Sequence, residues 1–245
     1  MASTLRKYPV FVLVHGAFHG GWCWRRVADH LTQAGARVFA PTMTGLADRA
    51  HLLSPSVNLG TFIDDVMALI EAEELDDIML VGHSFGGVVI SGVADRLPAR
   101  IRHCAFLDGV VPRHGRSAIS ELPADMAAAR ILAAKQTPGG LTIPVPTGAI
   151  FDLPEGPDRD WVARRITSHP LASYTDIVRL NGPIGNGRPR SYIRCSDPPY
   201  VAVQPSYERI RAEAGWIFEE IATNHDAMVS APALLADMLL RLAVG

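Results

Sequence analysis

Asp77-Ile78-Met79-Leu80-Val81-Gly82-His83-Ser84-Phe85-Gly86-Gly87 runs from an apolar stretch through a G-x-S-x-G pentapeptide into a helical pattern beginning Val88-Val89-Ile90. The pentapeptide alone is common, but a serine caught between strand and helix must adopt a strained backbone. Glycines two residues to either side remove the Cβ atoms that would clash in so sharp a turn. Ser84 Oγ would then project from the C-terminal edge of a sheet. The unpaired N–H groups and positive dipole end of the following helix favour an anion forming beside it.

Working outward, short aliphatic runs at 10–14, 36–40, 77–81, 102–107, 191–195 and 216–221 read as strands. Helical patterns at 22–34, 60–73, 85–97, 206–213 and 232–242 separate or follow them. Most of the strands are apolar throughout, as a strand covered on both faces requires, so the pattern predicts a doubly wound, mainly parallel α/β sheet. The rhythm breaks between Val111 and Pro189, where ten of the 18 prolines fall. Helical stretches at 124–135 and 158–168 predict small packed elements there rather than a bare loop. Residues 112–189 are therefore read as an inserted cap, with 1–111 and 190–245 forming the core and 182–187 a flexible return to the sheet.

The 245 residues carry a net charge of −2, 48% hydrophobic and 20% charged side chains, a composition that excludes disorder and coiled coil. No run of lysine and arginine exceeds a pair, which argues against nucleic-acid binding. Cys23, Cys104 and Cys195 have neither a disulfide framework's even count nor a zinc site's paired spacing, so they are expected to be reduced and buried. The first seven residues lack the apolar core of a leader, and no apolar run is long enough to span a membrane. A soluble cytoplasmic protein is expected, with a homodimer as the default assembly.

A serine hydroxyl needs a base to act as nucleophile at neutral pH. His225 stands just after the run at 216–221 and before the last helical pattern, where this architecture puts its base. His15 and His19 flank a glycine loop and lack the H-E-x-x-H glutamate, so no metal site is expected; His83 reads as a packing residue, and the other histidines carry no motif. The acid that orients the imidazole should end a strand that precedes the histidine. Asp197, after 191–195, is favoured on the Ser, Asp, His order; its competitor Asp108 ends 102–107 and is read as a turn or pocket-wall residue. Asp226 is expected to point away. The oxyanion donors are read as the N–H of Phe85 and that of Ala17, the latter in the glycine-rich stretch His15-Gly16-Ala17-Phe18-His19-Gly20-Gly21.

H-G-A-F-H-G-G-W-C-W at 15–24, G-H-S-F-G-G at 82–87, Tyr192-Ile193-Arg194-Cys195-Ser196-Asp197 and N-H-D-A-M at 224–228 together resemble the alpha/beta-hydrolase superfamily. Within it, the resemblance is to plant methylesterases and hydroxynitrile lyases with their bacterial esterase relatives. It covers nearly the whole chain outside the cap and implies Ser84 as nucleophile, His225 as base, Asp197 as acid, and Ala17 and Phe85 as oxyanion donors. The acid loop is one residue shorter than the family pattern. The lyases use a threonine where this chain has Gly16 and a lysine after the catalytic histidine, where Asp226 stands here, which disfavours cyanohydrin cleavage.

The expectation is a serine hydrolase without metal or cofactor that cleaves a small or medium carboxylic ester through an acyl-enzyme. A hydroxynitrile lyase-like or non-catalytic ligand-binding member of the same fold is the alternative. Phe18, His19, Trp22, Phe85, Phe151, Trp161 and Met228 are the expected pocket walls.

Overall fold

The computed structural model describes residues 8–145 and 151–244, so the reading of residues 1–7 lies outside it. Strand β1 (Val10–Val14) is buried at all five positions, as a continuous apolar run between two helical layers should be. A 3-10 turn at Gly21–Trp24 leads into α1 (Arg25–Gln33), followed by β2 (Arg37–Phe39), α2 (Leu59–Ala72), β3 (Ile78–His83), α3 (Gly86–Arg96) and β4 (Ile101–Leu107). An insertion then carries α4 (Ala124–Ala134), β5 (Thr142–Ile143), α5 (Pro157–Ala163), β6 (His169–Pro170) and α6 (Leu171–Thr175). The chain returns through β7 (Arg190–Cys195), α7 (Gln204–Ile210), β8 (Trp216–Ile221), α8 (Ala227–Ser230) and α9 (Pro232–Val244).

The main sheet has the order β2-β1-β3-β4-β7-β8, and each of its pairings is parallel. Because β2 and β3 lie on opposite sides of β1, the connections after β1 and β3 diverge and open a crevice at the strands' C-terminal ends. α1 packs on α9 and α2 on α3, covering the sheet with helices. The first turn of α2 is fixed by a reciprocal cap: Asn58 Oδ1 accepts from Thr61 N at 3.0 Å, and Thr61 Oγ1 accepts from Asn58 N at 3.2 Å. Helix α3 is buried from Gly86 to Asp95, so it is the central helix under the crevice. At the sheet's end, β8 leaves Ile217 and Phe218 exposed, since an edge strand lacks a neighbour on one side. All three cysteines are free and buried.

Among the described residues, the insertion's strand pairing is the antiparallel pair β5–β6, separate from the main sheet, and an isolated bridge between Ser117 and Ile177. The segment expected to be a flexible return is instead tied down. The Asp95 carboxylate on α3 accepts from the N–H of Asn181 at 2.8 Å and of Gly182 at 2.9 Å, while Asn186 Nδ2 donates to the Asp95 carbonyl at 3.1 Å. Glycines at 185 and 187 take positive φ there because the turn demands it, not because the chain is loose. The helix expected at 158–168 ends at Ala163, because Thr167 and His169 are used to hold the loop after β1. No helix among the described residues is long and apolar enough to cross a membrane.

Candidate active site

Ser84 follows β3 directly and has φ of 52°, the left-handed region that a non-glycine residue occupies only under constraint. Three glycines make this turn possible. A Cβ on Gly82 would lie 2.6 Å from the Gly86 carbonyl oxygen, one on Gly86 would lie 2.6 Å from the Val14 oxygen, and one on Gly16 would lie 2.8 Å from Cβ of Ser84. Main-chain bonds then brace the turn against the loop after β4. Ser84 N donates to Leu107 O at 3.1 Å, and Val110 N donates to Ser84 O at 2.9 Å. Those two partners bracket Asp108, so the serine and this aspartate are held by the same backbone clasp.

His225 meets that aspartate. Its Nδ1–H donates to Asp108 Oδ2 at 2.6 Å, with both side chains buried. The other carboxylate oxygen, Oδ1, accepts from Cys195 N at 3.3 Å. The carboxylate paired with His225 is thus Asp108 and not Asp197, the expected partner, which is exposed two residues beyond the end of β7. The N–H of Asp197 is spent on Thr223 O at 3.0 Å. β4 lies directly beside β3 in the sheet whereas β7 is one strand further out, so the residue ending β4 is the nearer to the serine turn. His225 Nε2 is buried and has no hydrogen-bond partner among the described residues, the Ser84 hydroxyl included. Contacts of this kind are often long before substrate engages and tighten in the reacting complex. The loop carrying the imidazole is fixed from the elbow side, because His83 Nε2–H donates to the His225 carbonyl at 3.0 Å. Burial, with His225 adding to it, holds the His83 imidazole well below its ordinary pKa.

Three further buried histidines hold the loop after β1, each through a different peptide group. His15 Nε2 accepts from Met43 N at 3.1 Å, which leaves the proton on Nδ1 to donate to Gly16 O at 2.8 Å. That carbonyl belongs to the peptide whose N–H is Ala17's. Burial lowers His15 to about 4, in keeping with a neutral ring. His19 bonds at both nitrogens to acceptors, Ala17 O at 2.8 Å and Asp226 Oδ2 at 3.2 Å. Burial, the largest single influence, opposes its charge, but the Asp226 carboxylate and the Ala17 carbonyl together raise His19 above the ordinary histidine value. Asp226 is thus fully buried and engaged with the loop after β1, where the sequence reading had it pointing away. The third is His169 of β6, whose Nδ1 accepts from Phe18 N at 3.3 Å and whose Nε2–H donates to Ser173 Oγ at 2.8 Å. Neither Ala17 N–H nor Phe85 N–H has an acceptor among the described residues. They are two buried main-chain donors, and Gly16, which precedes Ala17, touches the serine.

The aromatic residues expected to line a pocket divide. Phe18 and Phe151 lie 6.2 Å apart, Phe151 lies 4.8 Å from His19 and 6.2 Å from His225, and Trp22 stacks on His19 at 5.3 Å. Phe85 packs on Tyr174 at 4.5 Å. Trp161 sits a layer further out, against Trp22 and between the guanidinium groups of Arg26 and Arg165. Met228 is buried in the core at α8. Reading the sequence missed Tyr200, whose ring stacks on His225 at 3.8 Å between centroids, and Arg130 of α4, whose Nη1 donates to the Tyr174 hydroxyl at 2.7 Å. It also passed over His169. The one available signal was a tyrosine following Asp197-Pro198-Pro199 at the C-terminal edge; Arg130 and His169 had none, being brought in by the insertion's packing.

A strand-to-helix serine, an Asp–His pair at the C-terminal edge and free backbone donors between them define the hydrolase class of this sheet architecture. A family model, the Alpha/beta hydrolase family, matches residues 11–238, and the chain belongs to that family. It is 43% identical over 240 residues to the carbendazim hydrolyzing esterase of Nocardioides sp. (strain SG-4G), covering 94% of this chain and 97% of that one. It is 26% identical over 262 residues to methylesterase 2 of Arabidopsis thaliana, covering 99% and 98% of the two chains. Among solved structures, an extracellular alpha/beta-hydrolase from a Paenibacillus species superposes with a TM-score of 0.84 at 22% identity, over 95% of this chain and 98% of that one. The last of these bears on the fold alone.

Proposed function

We propose that this protein is a serine hydrolase that cleaves a small or medium carboxylic ester through an acyl-enzyme, with Ser84 as nucleophile, His225 as base and Asp108 as the acid. The observation that carries the reading is the imidazole at 225. Its Nδ1–H is pinned by a buried carboxylate at 2.6 Å while Nε2 is left with a bare lone pair. Asp108 fixes the tautomer and stabilises the imidazolium that forms when Nε2 takes the Ser84 proton. The alkoxide attacks the ester carbonyl, and the oxyanion is received by the N–H groups of Ala17 and Phe85. His225 returns the proton to the departing alcohol, and water repeats the cycle on the acyl-enzyme.

The kinship with two chains named as esterases supports ester hydrolysis. Residues 112–189 are read as a cap that closes the crevice, since their elements supply His169, Tyr174 and Arg130 above the serine. Hydrolysis of 4-nitrophenyl acetate, with mass-spectrometric detection of Ser84 labelling by a fluorophosphonate, tests the reading. Wild type should turn over and label at Ser84, and Ser84→Ala should lose both. Full activity in Ser84→Ala would overturn the nucleophile assignment.

A further inference from the structure

The Arg130 guanidinium of α4 lies among aromatic rings that pack against the neighbours of Ser84 and against His225. On one side its Nη1 donates to Tyr174 at 2.7 Å, and its Cζ lies 5.1 Å from that ring and 6.0 Å from the ring of Phe18. On the other side it interacts with the phenol of Tyr200, the residue stacked on His225. Tyr174 packs on Phe85, the neighbour of Ser84, and Phe18 is the neighbour of Ala17. The cation therefore bridges the oxyanion side and the histidine side of the same crevice.

Its electrostatic situation is unequal to its hydrogen bonding. Phenols and ring faces satisfy donors and solvate a cation, but they do not neutralise it. No Asp or Glu carboxylate forms a salt bridge with Arg130 among the described residues, although most arginines with a bridge in this structure have an exposed carboxylate close by. A mostly covered guanidinium that gives hydrogen bonds to the two phenols, Tyr174 and Tyr200, still has further N–H donors in a planar fork suited to a carboxylate. A pocket for plain alkyl esters has no use for such a group and carries a desolvation cost for keeping it.

We propose that Arg130 is a specificity-determining residue that receives an ionised carboxylate on the substrate, so that the preferred ester carries a second, acidic group remote from the bond that is cleaved. The assignment rests on the ester-hydrolase reading and narrows it to esters with an anionic half. Tyr174 and Tyr200 orient the fork, and the substrate carboxylate supplies the charge partner that Arg130 lacks among the described residues.

Matched ester pairs test this, with methanol or phenol release as the readout. Monomethyl adipate against methyl hexanoate places the charge on the acyl half, and 4-acetoxybenzoate against 4-methylphenyl acetate places it on the alcohol half. Wild type should favour the anionic member of at least one pair in kcat/KM by about 10- to 100-fold, the range of a charge-assisted hydrogen-bonded contact. Arg130→Gln should abolish that preference, bringing the anionic-to-neutral ratio of kcat/KM to within about threefold of unity, and Arg130→Lys should keep part of it. Equal or better turnover of the neutral member of both pairs by wild type overturns the proposal, whatever the variants do. So does an Arg130→Gln that lowers both members alike, which would make Arg130 a latch for the cap only. If Arg130→Gln does not fold, the wild-type ratios and Arg130→Lys still decide. Hydrolysis of 4-nitrophenyl acetate separates the two levels: its absence in wild type removes the ester-hydrolase reading itself, and its presence with no anionic preference removes only the role of Arg130.

Discussion

The N–H of Phe18 donates to Nδ1 of His169, 3.3 Å away and 151 residues later in the chain. Thr167 N also donates to Phe18 O at 2.9 Å, so the insertion clasps both ends of a residue held at φ of 68°. Phe18 directly follows Ala17, whose N–H the proposed mechanism uses. The insertion is thereby built into the oxyanion loop rather than merely laid over it. His169 can accept because burial, reinforced by the nearby positive groups, keeps its ring neutral and well below the ordinary histidine range.

Removing that acceptor should loosen the loop without touching the serine or its base. For His169→Ala, kcat should fall by about 10- to 100-fold, the scale of a misplaced oxyanion donor, with KM changed less than threefold. His169→Asn, which restores an acceptor near the Nδ1 position, should recover part of the loss. Steady-state kinetics on 4-nitrophenyl acetate check this. A loss confined to KM, or no rescue by asparagine, would make His169 a packing residue.

Gly16 is a second place where geometry leaves little room. A Cβ there would lie 2.8 Å from Cβ of Ser84 and 2.9 Å from Nδ1 of His83. Neither neighbour can yield without moving the elbow. Gly16→Ala should therefore cost about 1–3 kcal/mol of stability, seen in chemical denaturation, together with a loss of activity disproportionate to that cost.

The buried histidines set the response to acid. His15 is lowered to about 4, and His83, His103 and His169 are also lowered, all chiefly by burial. Below an unfolded value near 6.5 the unfolded chain binds protons that these folded rings refuse, so their stabilisation is complete above that pH and is lost as pH falls toward the folded values. His19, raised by Asp226, has the opposite sign and loses its contribution only as pH rises through its folded value. Four lowered groups outweigh one raised group, so the free energy of unfolding should drop steeply from pH 6.5 to pH 5, by about 1.4 kcal/mol per pH unit for each unmatched proton, and the denaturation midpoint with it. His15→Gln should flatten that slope, and a midpoint independent of pH over this range would contradict the assignment.

Much of the architecture was legible because its signals are local. The apolar runs that became β1, β3, β4 and β7 had to be covered on both faces, and the elbow's glycines declared a turn that no other residue type could make. The proposed nucleophile and base could be read for the same reason, each being marked by its position after a strand. The carboxylate that the structure pairs with His225 could not. Asp108 and Asp197 both end strands and both precede the histidine, and what separates them is sheet order: β4 neighbours β3, a fact that emerges only from tertiary pairing. The tie of 181–186 to Asp95, the contact of His169 with Phe18 and the reach of Arg130 were equally hidden, since each joins residues more than 40 positions apart without any periodic or motif signature.

If a histidine held by Asp108 activates Ser84, kcat/KM of Asp108→Asn and Asp197→Asn, compared side by side on one chromogenic ester, must differ sharply. Asp108→Asn should lose on the order of 10³- to 10⁴-fold, because the amide favours the wrong imidazole tautomer, and Asp197→Asn less than about threefold. A mild effect at 108 with a severe one at 197 would move the acid to Asp197.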